Sequence, residues 1–277
     1  MEVREGVGVM PARVMTLTSG KGGVGKTTAT ANIGVGLARR EQRALVIDAD
    51  IGLRNLDVVL GLENRIVFDL VDVVEGRARL RQAMIKDKRL NERLQFLPAA
   101  QTRDKNAVSP EDMIAICEEV ADQFDFIIVD SPAGIEQGFK NAVAPAHEVI
   151  VITNPEVSAV RDADRIIGLI ESEQKGPARL IINRLNPTMV KRGDMLDTED
   201  ILEILGVELL GIVPEDESIV VSSNRGQPVA LNGTTAAGAA YDRIVRRLLG
   251  EAVPILRPAA QEGFFQRLGK MLGASPR

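Results

Sequence analysis

The first chemistry legible in this 277-residue chain lies in nine residues, Gly20-Lys21-Gly22-Gly23-Val24-Gly25-Lys26-Thr27-Thr28. They fit the spacing G-x-x-x-x-G-K-[ST], and they stand between an apolar run, Arg13 to Thr18, and a helical pattern, Thr27 to Arg39. The glycines let the backbone curl until several N–H groups face one concavity, and the helix that follows adds its positive dipole end. Such a concavity suits a polyphosphate. Lys26 then reaches the β- and γ-phosphates, and the Thr27 hydroxyl helps hold Mg²⁺. Gly22, Gly23, Val24, Gly25, Lys26, Thr27 and Thr28 form the expected nucleotide-contacting set, with ATP and Mg²⁺ as cofactors.

Phosphoryl chemistry also needs carboxylates near the metal and the attacking water. Two apolar runs end in them. Ala44-Leu45-Val46-Ile47 leads into Asp48-Ala49-Asp50, and Phe126-Ile127-Ile128-Val129 leads into Asp130-Ser131-Pro132-Ala133-Gly134. Asp130 stands where a carboxylate contacts Mg²⁺ through water, and Gly134 lets the following loop move. Asp48 supports either the metal shell or the surroundings of a loop lysine. Asn183 follows Leu180-Ile181-Ile182, and its amide can both donate to and accept from an adenine edge, or can simply form a turn.

The elements that must position these groups alternate, with short β-rich runs followed by longer helical ones. That is the pattern of a mostly parallel sheet flanked by helices in three layers. The expected strands are 13–18, 44–47, 94–97, 126–129, 148–152, 179–182 and 209–213. The clearest helices are 27–39, 110–123, 158–171 and 235–249.

Composition narrows the function classes. The formal net charge of -5 disfavours nonspecific nucleic-acid binding as the main activity. The single cysteine, Cys117, excludes an internal disulfide and cannot alone hold zinc or an iron-sulfur cluster. Its neighbours Met113, Ile114, Ile116 and Val120 mark it as core. No apolar stretch approaches the roughly 20 residues that span a bilayer, and Glu2, Arg4 and Glu5 occupy the place of a leader's apolar run.

One feature of the phosphate loop narrows the reading further: a second lysine, Lys21, follows its first glycine. Lys-Gly-Gly-Val-Gly-Lys-Thr-Thr resembles the signature of the deviant Walker A ATPases, the MinD/ParA family, which is related to the nitrogenase iron protein and arsenite-pump ATPases. The resemblance implies an ATP-sandwich dimer in which Lys21 reaches the partner copy's nucleotide. It implies that Lys21, Lys26, Asp50 and Asp130 form the catalytic set, with Asp50 orienting the water that attacks the γ-phosphate. Thr27, Asp48 and Asp130 become the metal set. Asn183 contacts the base, with Pro214-Glu215-Asp216 packed beside it.

Further segments resemble the septum-site-determining branch of that family. They include Asp50-Ile51-Gly52-Leu53-Arg54-Asn55-Leu56-Asp57, Asp130 to Glu136, Thr153 to Val157, Val160 to Arg165 and Val213 to Asp216, and the likeness runs from about Arg13 to Leu249. That branch implies control of division-septum placement, with partner-stimulated hydrolysis of ATP to ADP and phosphate. It also implies a MinC-like inhibitor and a MinE-like activator received near the helix beginning at Val157. Asn55, Asp162 and Asp164 are the partner-facing positions carried over. The alternative is a ParA-like role in DNA segregation, which requires a basic dimer face.

The chain's end reads as a separate module. At 100° per residue, Phe264, Phe265, Leu268, Met271 and Leu272 fall within an arc of about 120°, opposite Gln266, Arg267 and Lys270. Such a helix is too short to cross a bilayer but suits an anionic membrane surface. One copy binds weakly; two on a dimer multiply their effect. The expected organisation is an extension over 1–12, an ATPase domain over 13–250, a linker over 251–262 around Pro254 and Pro258, and a membrane-targeting tail over 263–277. The expected location is cytoplasmic and peripheral on the inner face of the cell membrane, or the plastid stroma and inner envelope in an alga.

Overall fold

The computed structural model describes residues 12–103 and 107–256. The tail and almost all of the N-terminal extension, with Phe264, Phe265, Arg267, Leu268, Lys270, Met271 and Leu272, lie outside the described residues.

Eight strands form one sheet: β1 (Arg13–Thr18), β2 (Ala44–Asp48), β3 (Ile85–Lys86), β4 (Leu94–Leu97), β5 (Phe126–Asp130), β6 (Glu148–Thr153), β7 (Ala178–Leu185) and β8 (Glu208–Pro214). Their order is β3-β4-β2-β5-β1-β6-β7-β8, parallel throughout except for the β3–β4 pair at one edge. The chain leaves β1 toward β2 on one side and later returns to β6 on the other. The crevice above the C-terminal end of β1 is therefore the switch point at which open α/β sheets bind ligands.

The helices are α1 (Lys26–Arg39), α2 (Leu56–Leu60), α3 (Leu70–Val74), α4 (Leu80–Ala83), α5 (Pro110–Glu119), α6 (Gln137–Val143), α7 (Val157–Ser172), α8 (Pro187–Arg192), α9 (Thr198–Leu205), α10 (Ser218–Asn224) and α11 (Ala236–Leu248). Strand side chains alternate between faces, which sorts the core. Met15, Leu17, Val46, Ile128 and Ile150 pack with α1 and α11 on one face. On the other, Leu45, Ile47, Ile127 and Val129 meet α5, while Val149, Val151, Leu180 and Ile182 meet α7 and α9. In α7, Ala159, Val160, Ala163, Ile166, Ile167 and Ile170 recur at helical spacing, and all are buried. No helix among the described residues is long and apolar enough to cross a membrane.

Several expected boundaries shift. α5 opens as its sequence dictates, with Pro110 in its first turn and Ser109 and Asp112 in a reciprocal cap. It ends at Glu119 instead of 123, because the chain turns at Val120 and the Ala121 carbonyl receives the Ala12 N–H at 2.9 Å. β7 runs three residues past Ile182, through a register break. The first half of the expected linker is tied down: the Arg247 guanidinium donates to the Val253 and Pro254 carbonyls at 2.8 and 2.6 Å, and Ile255 packs on the core. Cys117 is 3% exposed, and burial pushes its thiol up to about 12, as befits a packing residue.

Candidate nucleotide site

The loop between β1 and α1 folds as its glycines require. Gly25 caps α1 at φ +98°, a left-handed conformation, and a Cβ there would stand 2.3 Å from the Asn183 amide nitrogen. A Cβ on Gly20 would lie 2.3 Å from the carbonyl oxygen of Asp162, so the loop's first residue rests on the backbone of α7. Asn183 is 3% exposed and donates from Nδ2 to the Val24 carbonyl at 2.7 Å, propping the loop from below.

Above the loop is a cavity of about 460 Å³. Gly22, Gly23, Gly25, Lys26, Thr27 and Thr28 line it together with Asp50 and Asn55, so residues from both sequence segments converge there. Val24 is buried beneath them. Lys26 Nζ lies 3.2 Å from Asp130 Oδ1, and Thr30 Oγ1 donates to the same oxygen at 3.0 Å. Thr30 was absent from the sequence-derived set, although its i+4 spacing from Lys26 places both on one helix face.

Asp48 pairs in register with Asp130 across β2 and β5 and is 1% exposed. Burial raises its pKa to about 7, and the neighbouring Asp130 charge pushes the same way. Its Oδ1 accepts from Asp50 N at 2.9 Å and its Oδ2 from Leu56 N at 3.3 Å. Asp48 thus shapes the segment carrying Asp50 and Asn55.

Lys21 points elsewhere. Its Nζ lies 3.4 Å from Glu156 Oε2 and 3.3 Å from Ser158 Oγ, at the start of α7. No sequence signal joined these residues, which are more than a hundred positions apart. On the same helix Asp164 is exposed, and Asp162 is partly exposed with Arg165 at 3.8 Å. Pro214 ends β8 and Glu215 and Asp216 follow it, all three outside the lining of the phosphate-loop cavity. Glu215 faces a neighbouring cavity. Asp216 accepts from Ser218 N and Ala237 N, both at 2.9 Å, and so joins the starts of α10 and α11.

Residues 15–229 match the model of the CobQ/CobB/MinD/ParA nucleotide binding domain. The chain belongs to the MinD/ParA family. It is 54% identical over 242 residues to the septum site-determining protein MinD of Bacillus subtilis, covering 87% of this chain and 90% of that protein. To the Escherichia coli K12 MinD it is 49% identical over 267 residues, covering 93% and 98%.

Among solved structures, the MinC:MinD cell division protein complex of Aquifex aeolicus superposes at a TM-score of 0.83, with 49% identity over 90% of this chain and all of that one. The MinD of Pyrococcus horikoshii, complexed with Mg-ADP, gives 0.77 at 27% identity, over 87% of this chain and all of that one. As a member of this family the chain is an ATPase with a nucleotide-binding domain, and its curated relatives determine septum sites.

Proposed function

We propose that this chain is an ATP-dependent dimeric switch that regulates placement of the division septum, hydrolysing ATP to ADP and phosphate when a partner stimulates it. The observation that carries the reading is the division of labour between two lysines. Lys26 is committed to its own phosphate site beside Asp130, whereas Lys21 is exposed and lies outside that site, at the start of α7. Its contacts with Glu156 and Ser158 are solvent-exposed and therefore weak, so Lys21 can exchange them for a second copy's nucleotide.

Mg²⁺ fits the donors present. The Thr27 hydroxyl in the cavity and the Asp130 carboxylate behind it are hard oxygen ligands of the kind this ion prefers, and the bound ion would offset charge on the phosphates. Asp50 would orient the attacking water and Asp48 would hold Asp50's segment in place. Asn183 and the Pro214-Glu215-Asp216 turn would flank the base.

An Aquifex relative solved as a MinC:MinD complex supports a MinC-like inhibitor as partner, and a MinE-like activator is the stimulating partner in this reading, both meeting the face around Asn55, Asp162 and Asp164. The tail over 263–277, joined to the ATPase domain by the linker, would rest on an anionic membrane at the inner face of a bacterial cell. DNA segregation is the weaker reading. The relatives of about 50% identity are septum-site proteins, and the ParA-family structure from Chlorobium tepidum, at 23% identity, speaks to fold alone.

Liposome sedimentation tests the switch, using the intact chain and a form truncated before Gly263, each with ATP, ADP or no nucleotide. Binding of the intact chain in ATP alone supports the proposal. Equal binding in every nucleotide state, or binding indifferent to truncation, defeats it.

A further inference from the structure

Helix α1 places Thr30 one turn after Lys26, fully buried, with its hydroxyl oxygen 3.0 Å from each of two acceptors, the Lys26 carbonyl oxygen and Asp130 Oδ1. A hydroxyl has one hydrogen to give. Inside a helix the Lys26 carbonyl is already the regular acceptor of the Thr30 N–H, whereas Asp130 is a carboxylate, and a hydrogen bond to an ionised acceptor is roughly twice as strong as one between neutral groups. The hydroxyl therefore belongs to Asp130.

Asp130 has little else to hold it. It is 1% exposed, and both of its hydrogen bonds, from Thr30 at 3.0 Å and from Lys26 Nζ at 3.2 Å, end on Oδ1. Among the described residues none reaches Oδ2. The in-register neighbour Asp48 gives no hydrogen, since its own oxygens accept from Asp50 N and Leu56 N. The two donors differ in what else they must do. Lys26 lines the phosphate-loop cavity on a long side chain, and its ammonium turns to the β- and γ-phosphates when nucleotide binds. Thr30 is short, β-branched and fixed by the helix, so it stays. Once Lys26 has turned, Thr30 is the one donor left, among the described residues, to a carboxylate that is costly to leave unpaired in the interior.

We propose that Thr30 is a positioning residue for the metal carboxylate. Its hydroxyl holds Asp130 Oδ1 after Lys26 has turned to the phosphates, so that Oδ2 stays available to the water shell of Mg²⁺. The inference rests on the assignment of Asp130 to that ion under the proposed function.

Mn²⁺ is the probe, because its EPR signal reports the unbound aqua ion. Titrating the full-length chain with Mn²⁺ at saturating ADP gives the ion's affinity, and fluorescent ADP titrated in EDTA gives the nucleotide's affinity without it. Thr30→Val keeps the side chain's shape and removes the hydrogen; Thr30→Ser keeps the hydrogen. The proposal expects Mn²⁺ affinity at least tenfold lower in Thr30→Val, the size of one hydrogen bond to a charged group. It expects ADP affinity in EDTA close to wild type, the serine variant close to wild type in both titrations, and ATP turnover in Thr30→Val half-saturating at correspondingly higher Mg²⁺. Thr30→Ala replaces the valine variant if that one does not fold. Unchanged Mn²⁺ affinity without the hydroxyl, a serine variant as weak as the valine one, or an equal loss of ADP affinity in EDTA and in Mn²⁺, the mark of a packing role alone, would overturn it. Asp130→Asn separates this claim from the reading beneath it. If Asp130→Asn leaves Mn²⁺ affinity unchanged, the metal assignment falls and the role of Thr30 with it; if Asp130→Asn weakens the ion and Thr30→Val does not, only the role of Thr30 falls.

Discussion

The Lys26 ammonium and the Asp130 carboxylate form an ion pair at 3.2 Å, with side-chain exposures of 8% and 1%. At such burial neither charge is stable without a partner, so the pair is a poised device: a polyphosphate arriving over Lys26 supplies a second anion. Thr30 steadies Asp130 by donating at 3.0 Å.

Asp130→Ala removes one half of this pair and should destabilise the nucleotide-free protein by about 3–5 kcal/mol. ADP added with EDTA should recover much of that loss, because its phosphates replace the missing anion. Thermal melts of wild type and variant, with and without ADP, measure both effects. A variant as stable as wild type without nucleotide would contradict the buried-pair argument.

Gly25→Ala should be far more damaging than Gly22→Ala. Gly25 combines a φ of +98° with an approach of 2.3 Å from a built Cβ to Asn183, whereas a Cβ on Gly22 meets nothing within 4 Å. The expected cost at Gly25 is about 1–3 kcal/mol of stability, with the phosphate loop displaced and nucleotide affinity at least tenfold lower. Urea titrations compare the two variants, and equal unfolding midpoints would refute the close-packing account.

Asp216 carries a pH-dependent contribution. Burial raises its pKa, but hydrogen bonds from Ser218 and from the Ala237 backbone outweigh that and hold it below the usual carboxylate range. A depressed folded-state pKa means the unfolded chain binds the proton more readily. The stabilisation is therefore present above about pH 4 and fades as pH falls through the lower folded value. Asp216→Asn should lose about 1–2 kcal/mol at pH 7, and the gap from wild type should close in strong acid. A gap independent of pH would show that charge plays no part in joining α10 to α11.

Much of this was legible in sequence because parallel strands buried on both faces read as unbroken aliphatic runs, as in Phe126-Ile127-Ile128-Val129. β3 was not, since two residues paired antiparallel at an edge carry no periodicity. Short helices such as Leu56–Leu60 and Pro187–Arg192 span too few turns to show a pattern. The phosphate loop announced itself through local spacing, and Asp48 and Asp130 through their position after strands. The contacts of Lys21 with Glu156 and Ser158, and of Asn183 with Val24, depend on chain crossings that no local pattern records. Arg184 was also missed. Its φ of +57°, within the register break of β7, is a backbone property that an arginine in an apolar run conceals.

The switch proposed for this chain requires that ATP pair two copies through Lys21. Light scattering of the purified chain with Mg²⁺ and either ATP or ADP measures this directly, beside Lys21→Ala. ATP should double the wild-type mass, ADP should not, and the variant should keep its monomer mass in both. A wild type of equal mass in ATP and ADP, or a Lys21→Ala variant that still pairs in ATP, would contradict it.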